Sequence, residues 1–513
     1  LRLVVFVVFA ALPASAATCE SLTALSLPHT TIATAEAVAA GEFKPPAGMG
    51  RPLSNLPAFC RVKGTLKPST DSDIRFEVWL PEKWNGKFEG VGNGGFAGQI
   101  NYADLGTSVR GGYASASTDT GHEAGVTNAS WALGHPEKVT DFGYRAIHET
   151  AVAGKAIAKA FYGGDVKRSY FSSCSNGGRQ ALMEAQRFPE DYDGIIAGAP
   201  ANYWTHLVTN SMWVVQATMA DAASFIPPAK LPAIEAAALA ACDAADGVKD
   251  GVIDSPDRCQ FKPASMECHG ADSDSCLTAA QVKTLEKILA GIPAPKGEKT
   301  FPGYVVGAMP GGNGWGGWIT GGAPGQSLAY AFGTNFFKFM VFENAQWDWH
   351  TFQPLRDMKV ADDKAAGALN ATDPNLSRFQ ARGGKLILYH GWSDAAISPL
   401  STVDYFRSLQ AKMGAKADGF VRLFLVPGMQ HCGGGTGPSV FGQNGDGPGD
   451  PEHDINAAVE QWVERGAAPA SIVATKYKSS GVVDRTRPLC PYPQTAQYKG
   501  SGSTDDAANF VCR

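Results

Sequence analysis

Two rhythms of apolar residues alternate along this chain. From 74 to 80 (Ile-Arg-Phe-Glu-Val-Trp-Leu) apolar and polar positions largely alternate, the period of a half-buried strand. Short apolar runs at 88–91 and 113–117, bounded by Gly or Asp, predict further strands. Between 140 and 162, Phe142, Ala146, Ile147, Ala151, Ala158 and Phe161 fall near helical spacing, and Gly163-Gly164 supplies a stop. Tyr170-Phe171-Ser172 predicts a strand, 178–188 a helix halted by Pro189, and 193–198 a buried strand. Strand, helix, strand, turn, helix, strand is α/β order.

After Asn202 the texture changes to an alanine-rich helix, a Cys/Asp-rich loop and a Gly/Trp/Phe-rich stretch over 301–352. Apolar strands return at 385–390 and 421–426. The expected fold class is therefore α/β, with 18–202 and 379–513 building one catalytic domain and 203–378 inserted as a lid. A chain of 513 residues exceeds one ordinary core, which agrees with that division. Net charge is −5 and no Lys/Arg run is long enough to track a phosphate backbone, so no nucleic-acid partner is expected. An apolar run at 3–12 followed by Ala14-Ser15-Ala16 predicts a signal peptide over 1–17, its start truncated or misassigned at Leu1. That run is too short to span a bilayer, so the expected location is secreted or periplasmic, with no membrane span. A lipoprotein cysteine at Cys19 is the alternative, poorly matched by Ala16-Ala17-Thr18.

The chemistry concentrates at Ser173-Cys174-Ser175-Asn176-Gly177-Gly178. A serine hydroxyl becomes a useful nucleophile when a sharp strand-to-helix turn with small neighbours presents it to a histidine base. Here a strand precedes and a helix follows Ser175, although Ser173 stands where a glycine is usual. An acid and a base are expected in later post-strand loops, in that order. Asp394 in Gly391-Trp392-Ser393-Asp394 and His431 in Pro427-Gly428-Met429-Gln430-His431-Cys432 meet that requirement. His122, His135, His148, His206 and His390 are rival bases in less suitable positions.

Ten cysteines in a chain expected to be exported argue for disulfides. Proximity offers Cys242 with Cys259 and Cys268 with Cys276, while Cys490 and Cys512 flank the C-terminal tail and Cys19 and Cys60 an N-terminal segment. That leaves Cys174 and Cys432, but spacing alone does not fix the connectivity. A Cys174 to Cys432 bond would tie the loops of the nucleophile and the base together, adding up to roughly 5 kcal/mol in the chain-entropy model.

Cys174-Ser175, Asp394, His431-Cys432, the segment from Tyr192 to Pro200 and an aspartate-rich loop at 242–254 together resemble the tannase and feruloyl esterase family of α/β-hydrolases, which also includes mono(hydroxyethyl) terephthalate hydrolases. The resemblance spans most of the chain. It implies a Ser175, His431, Asp394 triad, the Cys174 to Cys432 bond, the four other pairs above and a lid over the pocket. It further implies an oxyanion hole from the amide of Asn176 and one from Gly92-Asn93-Gly94-Gly95, with Gly95 the first choice.

The aspartate loop carries four carboxylates and two glycines and closes at Cys259, a composition suited to calcium though not spaced as an EF-hand. By resemblance Asp243, Asp246 and Asp250 would ligate Ca2+ through side chains and Val248 and Val252 through carbonyls, in a structural role.

Ten aromatic residues crowd 315–349, among them Trp315, Trp318, Phe332 and Phe337. Most are expected in the lid core and two or three in a wall suited to a flat acyl group. Lys338 is a weaker candidate for meeting a substrate carboxylate, and Trp392 and Ile397 for bordering the acyl site. The leading expectation is a serine hydrolase of small aromatic esters, with ferulate or related esters of plant cell-wall polysaccharide ahead of gallate esters and terephthalate monoesters. A calcium-stabilised binding protein without catalysis and a peptidase on the same scaffold are the competing classes.

Overall fold

The computed structural model describes residues 17–294, 299–445 and 447–513. Nine strands form the central sheet: β1 (Thr30–Val38), β2 (Phe59–Leu66), β3 (Ile74–Pro81), β4 (Lys87–Val91), β5 (Ala114–Thr118), β6 (Arg168–Cys174), β7 (Gly194–Gly198), β8 (Lys385–Gly391) and β9 (Val421–Val426). Their spatial order is β1-β2-β3-β5-β4-β6-β7-β8-β9. Pairing is antiparallel from β1 to β5 and parallel from there to β9. Helices α1 (Tyr102–Arg110), α2 (Ala146–Tyr162) and α3 (Asn176–Arg187) connect the first strands of the parallel part. This is the α/β-hydrolase arrangement, with β6, which leads into Ser175, inside the sheet.

The seven strands read from the sequence are present, and β7 and β9 lie within a residue of their expected bounds. β1 and β2 were not expected. Only two of nine residues in β1 are buried, and a register shift between Ile32 and Thr34 breaks its alternation. The expected single helix over 140–162 is interrupted: Pro136–Thr140 and α2 are separated by a π-turn at Asp141–Arg145. The carbonyls of Phe142 and Gly143 in that turn accept from the Arg179 guanidinium at 3.0 and 2.7 Å, which favours a widened turn over an uninterrupted helix. The expected signal segment falls almost wholly outside the described residues.

Residues 203–378 lie between β7 and β8, which are neighbouring parallel strands, so the whole segment is an excursion from the sheet. It opens with α4 (Trp204–Thr218) and includes helices at Leu231–Cys242, Ala279–Ala290 and Leu328–Phe336. One stretch of it, Ala222–Asp246, is apolar enough by length and composition to cross a membrane, yet its Leu231, Ile234 and Ala238 pack into the insertion's core. That core also takes in Phe96, Phe142 and Ala395–Ile397 from the loops at the sheet's edge. The insertion and the loops around Ser175 thus share one apolar interior.

Candidate active site

β6 ends at Cys174, and Ser175 turns the chain into α3 with φ 67° and ψ −125°. A side chain is seldom held there, and the surroundings enforce it. The Ser175 amide donates to Gly198 O at 2.9 Å, and its carbonyl accepts from the amides of Arg179 and Ala201, each at 3.1 Å. A Cβ at Gly177 would overlap Ser173 Oγ, and one at Gly178 would overlap the Gly198 carbonyl. The small residues of the motif are therefore packing requirements of the turn.

The loops after β8 and β9 bring Asp394 and His431 to this turn. His431 Nε2 lies 2.9 Å from Ser175 Oγ and Nδ1 2.8 Å from Asp394 Oδ2. With Nδ1 protonated toward the carboxylate, Nε2 is free to accept the serine proton. Asp394 is 2% exposed, and its Oδ1 accepts from the amides of Ala396 and Ile397 at 2.8 and 2.9 Å. Burial pushes its carboxyl up, but the charge of His431 and hydrogen bonds from His390 and His431 more than offset this, holding it well below the usual range.

His390 had only the standing of a rival base in the sequence. In the structure it is fully buried, with Nε2 3.1 Å from Asp394 Oδ2 and Nδ1 2.8 Å from Thr402 Oγ1. It is thus a second donor to the acid. The other rivals sit in local pairs or contacts: His122 against Trp131, His135 with Asp71, His148 with Asp191 and His206 with Asp362. Burial also pushes His122 down to about 4.

Gly95 and Asn176 line the same slot as Ser175. The amide of Asn176 opens α3 and belongs to the set that has no partner within a helix. Gly95 has φ 55°, and a Cβ there would overlap the Val126 carbonyl, so glycine is required. Two residues of α3 that the sequence reading did not single out brace this arrangement. Gln180 accepts from the Asn93 amide at 3.0 Å and donates to Asn93 Oδ1 at 3.1 Å, joining the glycine loop to the elbow helix. Arg179, fully buried, donates from Nε to Asn176 Oδ1 at 2.8 Å and packs over the rings of Phe142 and Trp204.

All ten cysteines are paired, as Cys19–Cys60, Cys174–Cys432, Cys242–Cys259, Cys268–Cys276 and Cys490–Cys512. The second bond joins the residue before Ser175 to the residue after His431. Trp204, Leu207, Tyr304, Trp318, Phe332 and Ile397 wall the slot in front of Ser175. Of the crowded aromatics of the insertion, Trp318 and Phe332 reach it, and Trp318 also meets His431 edge-on at 5.1 Å between centroids. Trp315 and Phe337 are buried in the insertion's core, and neither Lys338 nor Trp392 lines the slot.

The aspartate loop folds around its own carboxylates. Asp243 accepts from the amides of Asp250 and Gly251, Asp246 from Val248 at 2.9 Å, and Asp250 from Val252 at 3.2 Å. Asp254 is buried beside Asp246, and burial followed by the Asp246 charge pushes its carboxyl up to about 8. Two such carboxylates call for a shared proton or a cation, and the hard oxygen donors of the loop suit calcium. Asp250 Oδ2, however, is engaged by Arg485 and Arg487 at 2.9 and 2.5 Å, which leaves it a weaker donor than expected.

Residues 60–513 match the family model described as tannase and feruloyl esterase. An uncharacterised esterase of Xanthomonas campestris pv. campestris is 45% identical over 530 residues, covering 97% of this chain and 91% of that protein. A probable feruloyl esterase B-1 of Aspergillus fumigatus is 33% identical over 493 residues, covering 92% of this chain and 89% of its own length. The crystal structure of feruloyl esterase B from Aspergillus oryzae superposes with a TM-score of 0.89 at 32% identity, covering 96% of this chain and 99% of that one. Sheet order, elbow and sequence agree: the chain belongs to the tannase and feruloyl esterase family.

Proposed function

We propose that this protein hydrolyses esters of aromatic carboxylic acids, with feruloyl-type esters favoured, through an acyl-enzyme on Ser175. The unbroken hydrogen-bonded line from Asp394 through His431 to Ser175 Oγ carries the proposal. Ser175 Oγ attacks the ester carbon as His431 Nε2 takes its proton, and the carbonyl oxygen gains negative charge toward the amides of Asn176 and Gly95. The intermediate collapses and the alcohol leaves with the proton from His431. Water then attacks the acyl-enzyme, His431 again acting as base, and the aromatic acid is released. Asp394 orients the imidazole and stabilises its charged form throughout.

The aromatic wall of the slot supports a flat acyl group, and the likeness to feruloyl esterases supports feruloyl esters. The insertion acts as the lid. The intact triad favours catalysis over a binding role alone. Purified protein assayed against methyl ferulate, methyl gallate and mono(hydroxyethyl) terephthalate should turn over the ferulate fastest. Ser175→Ala should lower kcat by roughly 10⁴–10⁶-fold. Activity that survives in that variant would remove Ser175 from the mechanism.

Calcium, bound by Asp243, Asp246 and Asp250 with the carbonyls of Val248 and Val252, would brace the loop by neutralising its crowded carboxylates, with no part in bond cleavage. Chelation should then lower Tm, and added calcium restore it; an unchanged melting curve for protein verified to be metal-free counts against the site. The five disulfides support export to a secreted or periplasmic location.

A further inference from the structure

We propose that residues 303–313 of the insertion hold the acid and base loops in register, with Asn313 and Gln430 as positioning residues for His431. The proposal rests on the reading of Ser175 as the acylated residue.

Besides walling the slot, the insertion bonds to the loops of both partners of Ser175. At the start of this segment the Gly303 carbonyl accepts from Ser398 Oγ at 2.6 Å, and Tyr304 donates to the Ala396 carbonyl at 3.3 Å. Ala396 and Ser398 flank Ile397 in the loop whose amides hold Asp394. Further along, the contacts pass to the base. Gln430 Nε2 donates to the carbonyls of Ala308 and Pro310 at 2.6 and 3.0 Å. Asn313 Nδ2 donates to the carbonyls of His431 and Gly433 at 2.9 and 3.1 Å. The backbone of His431 is thus tied to the insertion through the residue before it and at its own carbonyl. Cys432 lies between the two carbonyls that Asn313 holds, so the disulfide and this amide act on the same three residues.

The backbone at this junction is shaped for these contacts. Ala308 and Cys432 hold φ 44° and 60°, a region that residues with side chains seldom occupy and that the surroundings must enforce. A Cβ at Gly314 would come within 2.6 Å of Gln430 Nε2 and 2.4 Å of the Met309 carbonyl, so glycine there makes room for the Gln430 amide. Between them the acid and base loops share the bond from the Ser393 amide to the Met429 carbonyl at 2.9 Å, and the insertion adds a second link. None of Ser398, Gln430 and Asn313 lines the slot, so their bonds bear on the triad and not on the acyl group. Rate is sensitive to such placement, since an error of about 1 Å between reacting groups can cost on the order of 10²-fold.

The test is steady-state kinetics on methyl ferulate for Asn313→Asp and Gln430→Met, with Ser175→Ala alongside. Asn313→Asp keeps the shape and sets an anion against two carbonyls; because its bonds are exposed, its Tm should stay near wild type. Its kcat should fall by about tenfold with KM held within about twofold. Sulfonylation of Ser175 by phenylmethylsulfonyl fluoride should slow in step with kcat, and Gln430→Met should act in the same direction. Wild-type kinetics in Asn313→Asp, or a raised KM at unchanged kcat, overturns the proposal. A purely structural asparagine would lower Tm and leave kcat per folded molecule and the sulfonylation rate alone, which overturns it equally. Should neither variant fold, wild type decides: in rising urea, activity and the hydrogen-exchange protection of 303–313 should vanish together, and activity that outlasts the protection overturns the proposal. Activity surviving in Ser175→Ala defeats the Ser175 reading and this proposal together; an inactive Ser175→Ala beside a fully active Asn313→Asp defeats this proposal alone.

Discussion

Asp394 and Glu184 are equally buried, at 2% and 0% exposure, and end in opposite states of charge. Asp394 receives two backbone amides and two imidazoles, and stays ionised. Neither oxygen of Glu184 has a donor, and burial followed by the neighbouring charge of Asp191 raises its carboxyl far above the ordinary range. Asp191 has taken the nearby donors, His148 at 2.6 Å and Lys155 at 3.1 Å, so the proton stays on Glu184. Burial sets the penalty in both places; the donors decide whether the charge survives it. The pH signs are opposite. Asp394 has a depressed folded pKa, so its contribution to stability is present above the ordinary aspartate range and is lost as pH falls through its folded pKa. Glu184 has a raised one, so stability is lost as pH climbs from the ordinary glutamate range toward its folded pKa.

The sharpest way to break the comparison is Asp394→Asn, which keeps the shape and removes the charge. Its kcat should fall by about 10⁴-fold, read by steady-state kinetics on protein of verified fold. A loss below tenfold would mean that the ionised state of Asp394 is of little consequence. His390→Leu removes one donor and should lower kcat by about tenfold. Because Asp394 then titrates higher, the acid limb of the pH profile should move upward; a profile that stays put denies His390 its part in holding the charge. Smallest is Glu184→Gln, which supplies an amide in place of the protonated acid. Its Tm should match wild type near pH 5 and exceed it by about a degree or two at pH 9, with kcat unchanged. Parallel Tm curves across that range would show that Glu184 is not the proton holder.

Much of the candidate site was legible because each of its three central members follows a strand. β6, β8 and β9 are short apolar runs, and the residues just past their ends are Ser175, Asp394 and His431. The donors that tune those members were not legible, since each depends on contacts distant in sequence or at a spacing with no motif. His390 reaches Asp394 only because the chain after β8 curls back, and Gln180 meets Asn93 across 87 positions. Arg179 was silent for a further reason: an arginine on a helix reads as exposed, and its partners are the carbonyls of a π-turn that periodicity reads as ordinary helix. The insertion declared itself by texture, but which of its aromatic residues reach the slot depended on packing.

The Cys174–Cys432 bond has a consequence for what happens when the chain is cut. Every peptide bond from Ser175 through His431, the whole insertion included, lies within the loop that this bond closes. One cleavage anywhere in that span leaves two pieces still joined beside the reacting groups. A protease can therefore nick the insertion without parting Ser175 from His431. Such a cut would show on a reducing gel well before it shows in an assay, and only reduction would let the halves drift apart.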